Sequence, residues 1–162
     1  MKTPGVTVRN AQRVAPLDIV PLREYARRAL AAVWPCRRHR SDIISLSNIA
    51  VSIVSDRAIT RLHAEFSDDA TATDVLTFQH GDIAISVETA ARNARTFQTT
   101  TTDELRLYLL HGLLHLCGFD DKNARARRTM SEAQARIFLK LKQHPAPTPP
   151  QEGKKARAKL SP

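Results

Sequence analysis

Aromatic side chains are scarce in this 162-residue chain: Phe, Trp and Tyr together make up 5% of it. That scarcity argues against a sheet-wide stacking platform of the kind RRM domains use to read bases. Cysteine is scarcer still, with only Cys36 and Cys117, far apart and without framework spacing. A disulfide-held scaffold is excluded, and a reducing compartment is the expectation. No uninterrupted apolar stretch approaches the length that spans a bilayer, and the first residues lack the apolar core of a signal peptide. The protein is therefore expected in the cytoplasm, away from the membrane. Negative charge is short as well: 16 acidic residues face 25 basic ones, a net charge of +9. That surplus points to polyanionic partners: nucleic acid, the ribosome or an anionic membrane surface. Residues 144–162 carry +3 of it, so the charge is not confined to one tail.

What the chain does hold is 42% hydrophobic residues, over a length that suits one ordinary domain with a real core. A first strand is expected near Val6–Asn10. The stretch "LDIVPLREYARRALAAVWP" at 17–35 predicts an amphipathic helix. Its apolar positions Leu22, Tyr25, Ala26, Ala29, Leu30 and Val33 recur at helical spacing, and Pro35 ends it. The alternating β-branched run at 48–55 predicts a strand. Ser55 and Asp56 then cap a helix with Ile59, Leu62 and Phe66 on one side. Residues 74–79 and 82–86 predict two short strands joined through His80, Gly81 and Asp82 as a hairpin. Further helices are expected over 87–97, from Thr101 to Gly118, and over about 124–142, with Thr101 and Glu104 in capping-box spacing. Strands and helices mix without regular alternation and no internal repeat is visible, so the expected class is α+β. One domain covers residues 1–143, and the Pro-rich, charged segment 144–162 is expected to be a disordered tail.

The most apolar run of the chain, "LLHGLLHLCGFDD" at 109–121, contains two histidines. His111 and His115 are four apart, so both imidazoles leave the same side of one helix. Zinc needs ligands converging at about 2.0–2.1 Å, and this spacing supplies two from one rigid element. Gly118 suits a left-handed helix end that lets the chain fold back, and Asp121 follows three residues later with Asp120 beside it. The pattern His-x-x-x-His-x-x-Gly-x-x-Asp has the ligand spacing of the extended zincin motif, with a carboxylate as third donor. A pair of histidines alone is commonly a satisfied core or surface pair. Here an apolar helix makes an unpaired polar group costly, and that favours a metal. Cys117 projects about 200° away from His115 and reads as a packed thiol. A zinc peptidase carries a glutamate directly after the first histidine; this chain has Gly112, which argues against peptide hydrolysis.

"HGLLHLCGFDD" resembles the signature of the YbeY family, zinc-dependent endoribonucleases of ribosomal RNA maturation, written H-G-x-L-H-L-x-G-Y-D-H. "LHAEF" and "TDVLTF" within 62–78, and "GDIAIS" at 81–86, are similar to that family's L-N-x-x-F/Y, T-D-V-L-S/T-F and G-D-I-x-I-S segments in the same order. The resemblance spans residues 44–140. It implies a metallohydrolase domain: a single compact α+β unit with a small mixed sheet, a central metal-bearing helix and surrounding helices. It also implies one zinc ion on His111, His115 and Asp121. The implied partners are ribosomal RNA and the pre-ribosomal small subunit, with no membrane and no small-molecule cofactor.

Two departures bear on chemistry. Asp121 stands where the family has a third histidine, which leaves a bound cation less net positive charge and lower Lewis acidity. The family's basic loop R-x-K-D is here Ser67, Asp68, Asp69 and Ala70, so a phosphate clamp is lost and repulsion is added. His63 stands where the family has Asn and reads as a solvent-facing helix residue.

The reaction so implied is hydrolysis of a phosphodiester in single-stranded RNA, within ribosome maturation and quality control. Asp120 and Glu104 are the candidates for acid–base or orienting roles, Glu104 lying seven residues before His111 on the same stripe. The clusters Arg125, Arg127, Arg128 and Arg37, Arg38, Arg40 could hold the RNA backbone or form solvated faces. A rival reading is a non-enzymatic ribosome-assembly factor that keeps the metal and the basic surface. A metalloprotease ranks third. The donor set also suits divalent ions other than zinc.

Overall fold

The computed structural model describes residues 2–67 and 73–144. The loop residues Asp68, Asp69 and Ala70 and the tail at 145–162 lie outside the described residues, and Ser67 is described only by its backbone, at the end of a helix. Strand β1 (Gly5–Asn10) runs parallel to β2 (Asn48–Val54), with Val8 opposite Val51. The short β3 (Val75–Thr77) is antiparallel to β4 (Asp82–Ser86), Val75 facing Ile85, as the hairpin reading expects. Because β4 also lies parallel to β2, the order is β1-β2-β4-β3, a mixed sheet with β3 at one edge.

Alternation along β4 assigns the two faces of the sheet. Ile83 and Ile85 belong to the main core, whereas Ala84 between them joins Val54, Ile59, Leu62 and Leu76 in a smaller cluster. Helix α2 (Asp56–Ser67) therefore covers one face and the other helices fill the opposite one. Helix α1 (Val20–Val33) buries the six apolar positions expected of it. It starts three residues later than the pattern suggests, because the Asp18 carboxylate accepts the Val20 N–H at 3.0 Å and Pro21 occupies the first turn. Helix α3 (Val87–Phe97) is capped by the Ser86 hydroxyl. Phe66, expected on the buried side of α2, is instead 63% exposed.

Helix α4 (Thr101–Leu116) packs against α1, α3 and α5 (Ala124–Gln143) as well as β3 and β4. A helix so enclosed is apolar on every side, and Leu105, Leu109, Leu110, Leu113, Leu114 and Leu116 are all almost fully buried. Truncating one of them to Ala costs about 2–5 kcal/mol, through lost transfer energy and an unfilled cavity. Thr100, not Thr101, is the N-cap of α4, its hydroxyl accepting the Asp103 N–H at 3.1 Å. The expected capping box is thus displaced by one residue in a run of four threonines, and the Glu104 carboxylate is left for other partners. Among the described residues, no helix is long and apolar enough to cross a membrane.

Candidate metal centre

Close packing of α4 on the sheet begins at Gly112. A Cβ there would come within 2.9 Å of the Thr77 hydroxyl and 3.0 Å of Ile83, so only glycine lets the helix lie this near. The approach brings the flanking His111 to the wall of a cleft of about 620 Å³, opposite β3. Its rim includes Thr73, Thr77 and Gln79 from the β3 side and His115, Asp120 and Lys122 from the other.

At its far end α4 stops in a Schellman turn. Gly118 N–H donates to His115 O at 2.8 Å and Phe119 N–H to Leu114 O at 3.0 Å. Gly118 has φ +88°, a left-handed backbone that L side chains rarely adopt. The reversal carries Asp121 back over the helix, as the spacing predicts. His111 Nε2 and His115 Nε2 lie 3.0 Å apart, and Asp121 Oδ2 lies 3.9 and 3.8 Å from them. Ligand atoms on a tetrahedral zinc sit about 3.3 Å apart, so these three need only small movements to close on one ion. Among the described residues this is the one group of three such side chains with converging ligand atoms. Asp120 lines the cleft but does not converge with these three: it accepts the Lys122 N–H at 2.9 Å, and that bond holds its carboxyl below the usual range.

Hydrogen-bond partners decide which imidazole nitrogens carry protons. His115 Nδ1 faces the Phe119 carbonyl at 3.2 Å, which can only accept, so Nδ1 is the protonated nitrogen. His111 Nδ1 faces Gln134 Oε1 at 3.1 Å, and the Gln134 amide is oriented by its own N–H donation to Leu107 O at 3.4 Å. Both Nε2 atoms therefore point lone pairs at one another across 3.0 Å. Two acceptors at that distance repel, and a cation between them removes the conflict. Burial, followed by the nearby His111, pushes the His115 pKa down, which keeps the ring in the neutral, metal-binding form. The donor set and its geometry fit a divalent ion such as zinc.

Glu104 does not join this group. Its carboxylate accepts from the Thr99 hydroxyl at 2.5 Å and from the Tyr108 hydroxyl at 3.0 Å, and Asn93 donates to Tyr108 at 2.8 Å. It is buried in a tie between α3 and α4 and does not line the cleft. Of the arginine clusters, Arg38 stands nearest, its guanidinium 4.7 Å over the Phe119 ring beside the Schellman turn. Arg37 stacks on Trp34 at 4.1 Å, and Arg40 is exposed with φ +69°. Arg125, Arg127 and Arg128 are exposed on the first turns of α5, with Arg128 paired to Glu132. None of the six lines the cleft. His63 is half-buried on α2, also away from it. Gln134 and the Phe119 carbonyl are the functional groups that spacing alone did not expose. A polar residue on the inner side of α5 was the available signal for Gln134.

The family model described as Endoribonuclease YbeY matches residues 7–142. Relatives carrying that description include a protein of Anaeromyxobacter dehalogenans, 36% identical over 120 residues, a match covering 68% of this chain and 60% of the relative. Another, from Porphyromonas gingivalis, is 30% identical over 127 residues, covering 72% of this chain and 82% of the relative. The match thus spans about 60% of the length of the Anaeromyxobacter relatives. A solution structure of a Thermotoga maritima protein has the same fold, with TM-score 0.55 and 24% identity, over 86% of this chain and 94% of that one. With a family model covering most of its length, and with a relative 30% identical over 72% of it, the chain belongs to the YbeY family.

Proposed function

We propose that this protein is a metal-dependent endoribonuclease that cuts single-stranded RNA in ribosomal RNA maturation and ribosome quality control. The observation that carries the reading is the pair of imidazole lone pairs converging with the Asp121 carboxylate on an open cleft. His111, His115 and Asp121 would hold one zinc ion, which when bound supplies Lewis acidity at the scissile phosphate and lowers the pKa of a nearby water. Asp120 reaches the same cleft as an ionised carboxylate and takes the proton from the attacking water. The Lys122 ammonium on the rim neutralises phosphate charge, and Thr73, Thr77 and Gln79 offer hydrogen bonds from the facing wall. Gln134 and the Phe119 carbonyl act through the two histidines, fixing tautomer and ring orientation. Glu104 takes a positioning role, tying α3 to the metal helix. The working setting is the cytoplasm, with the pre-ribosomal small subunit as partner and residues 1–143 as the metallohydrolase domain.

One observation favours a second reading, a ribosome-assembly factor with a retained zinc site and little turnover. Among the described residues Asp42, Asp74, Asp120 and Asp121 line the cleft against one cation, Lys122, and such a surplus of acid repels phosphate when no metal offsets it. A peptidase is disfavoured, since Thr77 and Ile83 close the space beside Gly112 where the catalytic glutamate would stand.

Elemental analysis of the purified wild type, His111→Ala and Asp121→Ala tests the site, followed by cleavage assays on single- and double-stranded RNA. Near-stoichiometric zinc lost in both variants, with cleavage of single strands by the wild type alone, is the expected result. Zinc without cleavage across varied RNAs would favour the assembly factor. A wild type that takes up no metal when zinc is supplied would remove the enzyme reading.

A further inference from the structure

Scarce as aromatic residues are, the fold gathers two phenylalanines and a histidine into one exposed stack. Phe66, in the last turn of α2, meets Phe78 edge to face with ring centroids 4.9 Å apart. Phe78 stacks on His80 at 5.5 Å with the ring planes 24° apart. Such pairs normally serve a core. Here the outer members are open, Phe66 at 63% exposure and the His80 side chain at 66%. Large apolar faces left in water in a line, and not singly, mark a binding surface. The His80 ring is also held in place, its Nε2 lying 3.1 Å from Asp82 Oδ2.

The position of the stack says what it would bind. Thr77, which touches the space beside Gly112, and Gln79 line the metal cleft, and Phe78 lies between them in sequence. Leu76, on the Phe78 side of the alternation, packs beneath α2 and also reaches the cleft lining, so the two regions adjoin there. Stack and cleft thus adjoin at one edge strand of three residues, and among the described residues no further strand lies outside it. A single strand of RNA whose phosphate enters the cleft can cross that edge and meet the rings within one or two nucleotides. The Phe78–His80 spacing leaves no room for a base between those two rings, so contact is with the outer faces of His80 and Phe66. A basic chain with a short aromatic stack beside its cleft matches the way single-stranded nucleic acid is gripped, by backbone electrostatics and sequence-tolerant base stacking.

We propose that Phe66, Phe78 and His80 form a stacking subsite for unpaired nucleobases flanking the phosphodiester held at the metal cleft. This rests on the endoribonuclease reading and adds to it the reason for a preference for single strands, since a base within a duplex is already stacked on its neighbours. The subsite takes no part in bond cleavage, so it acts on binding.

The test is equilibrium binding of a short fluorescein-labelled oligouridylate, and of an abasic oligomer of the same length, to the zinc-loaded protein under conditions that suppress cleavage. Phe66→Ala and His80→Ala are each expected to weaken oligouridylate binding about 5- to 150-fold, the range for loss of one stacked base. Neither is expected to change binding of the abasic oligomer, zinc content or the unfolding midpoint. Phe66→Tyr, which keeps a ring, is expected to retain most of the wild-type affinity. Unchanged oligouridylate binding in both alanine variants, in a wild type that cleaves RNA, would overturn the subsite and leave the endoribonuclease standing. Equal weakening for the abasic oligomer would overturn it too, because the loss would then not come from bases. A wild type that binds neither oligomer would remove both readings together.

Discussion

The two imidazoles and the carboxylate of the candidate metal centre are positioned by opposite means. His111 and His115 stand on a helix enclosed by three others, and each ring has its second nitrogen tied to a fixed oxygen, Gln134 Oε1 or Phe119 O. Asp121 stands on the return of a turn, 46% exposed, with its oxygen nearly 4 Å from both partners. The first pair is set before any ion arrives; the third donor must be drawn in by the ion. Preorganised ligands carry most of the affinity, because little ordering remains to be done on binding. A recruited ligand tunes charge and geometry instead.

The largest expected effect follows from removing a preorganised member. His111→Ala or His115→Ala should lower zinc affinity by more than the ~100-fold upper range seen for orienting partners, read by competition with a chromogenic chelator. Gln134→Leu frees His111 to turn and is expected to cost about 10- to 100-fold in zinc affinity while leaving the fold intact. An unchanged affinity in that variant would show that helix packing alone sets the ring. Asp121→Asn should cost less than either histidine variant, because the amide oxygen can still reach the ion at the position of the loosest donor, whereas Asp121→Ala removes the donor altogether. Asp121→His, which restores the third imidazole of the family's signature, should raise both affinity and cleavage rate if the carboxylate does weaken the ion's Lewis acidity. The smallest effect concerns the helix end itself. Cys117 is buried behind the Schellman turn and burial pushes its thiol up to about 12, so alkylation of the native protein at neutral pH should label the half-buried Cys36 first. Comparable labelling of Cys117 would show that the turn opens, and that the first pair is less rigid than its contacts suggest.

The parts of the molecule that could be read from sequence are those governed by short-range rules. Helical spacing in α1 identified all six buried positions, and i, i+4 spacing plus a left-handed glycine anticipated which three candidate donors converge. The pairing of β1, β2 and β4 was not legible, since alternation marks a strand but names no partner. The cap of α4 slipped because four consecutive threonines satisfy the same local pattern, and only the Asp103 N–H separates Thr100 from Thr101. Glu104 shared the histidine stripe by periodicity, yet Tyr108 and Thr99 claim it, contacts that depend on how α3 crosses α4. Gln134 was hidden for the same reason: it reaches His111 from 23 residues away.

Gly112 has a meaning beyond packing. In many metal-bearing helices the residue after the first ligand is free to vary, and a lineage can try new general bases there by single substitution. Here any side chain must displace the sheet edge or the helix, so that route is closed and almost every accessible variant keeps the same inner wall. Diversification is left to the open rim, at Thr73, Gln79, Asp120 and Lys122, where substitutions change which polymer segment is held without disturbing the ion. On the proposed endoribonuclease reading, the scaffold is thus free to shift among RNA targets and is barred from drifting toward peptide bonds.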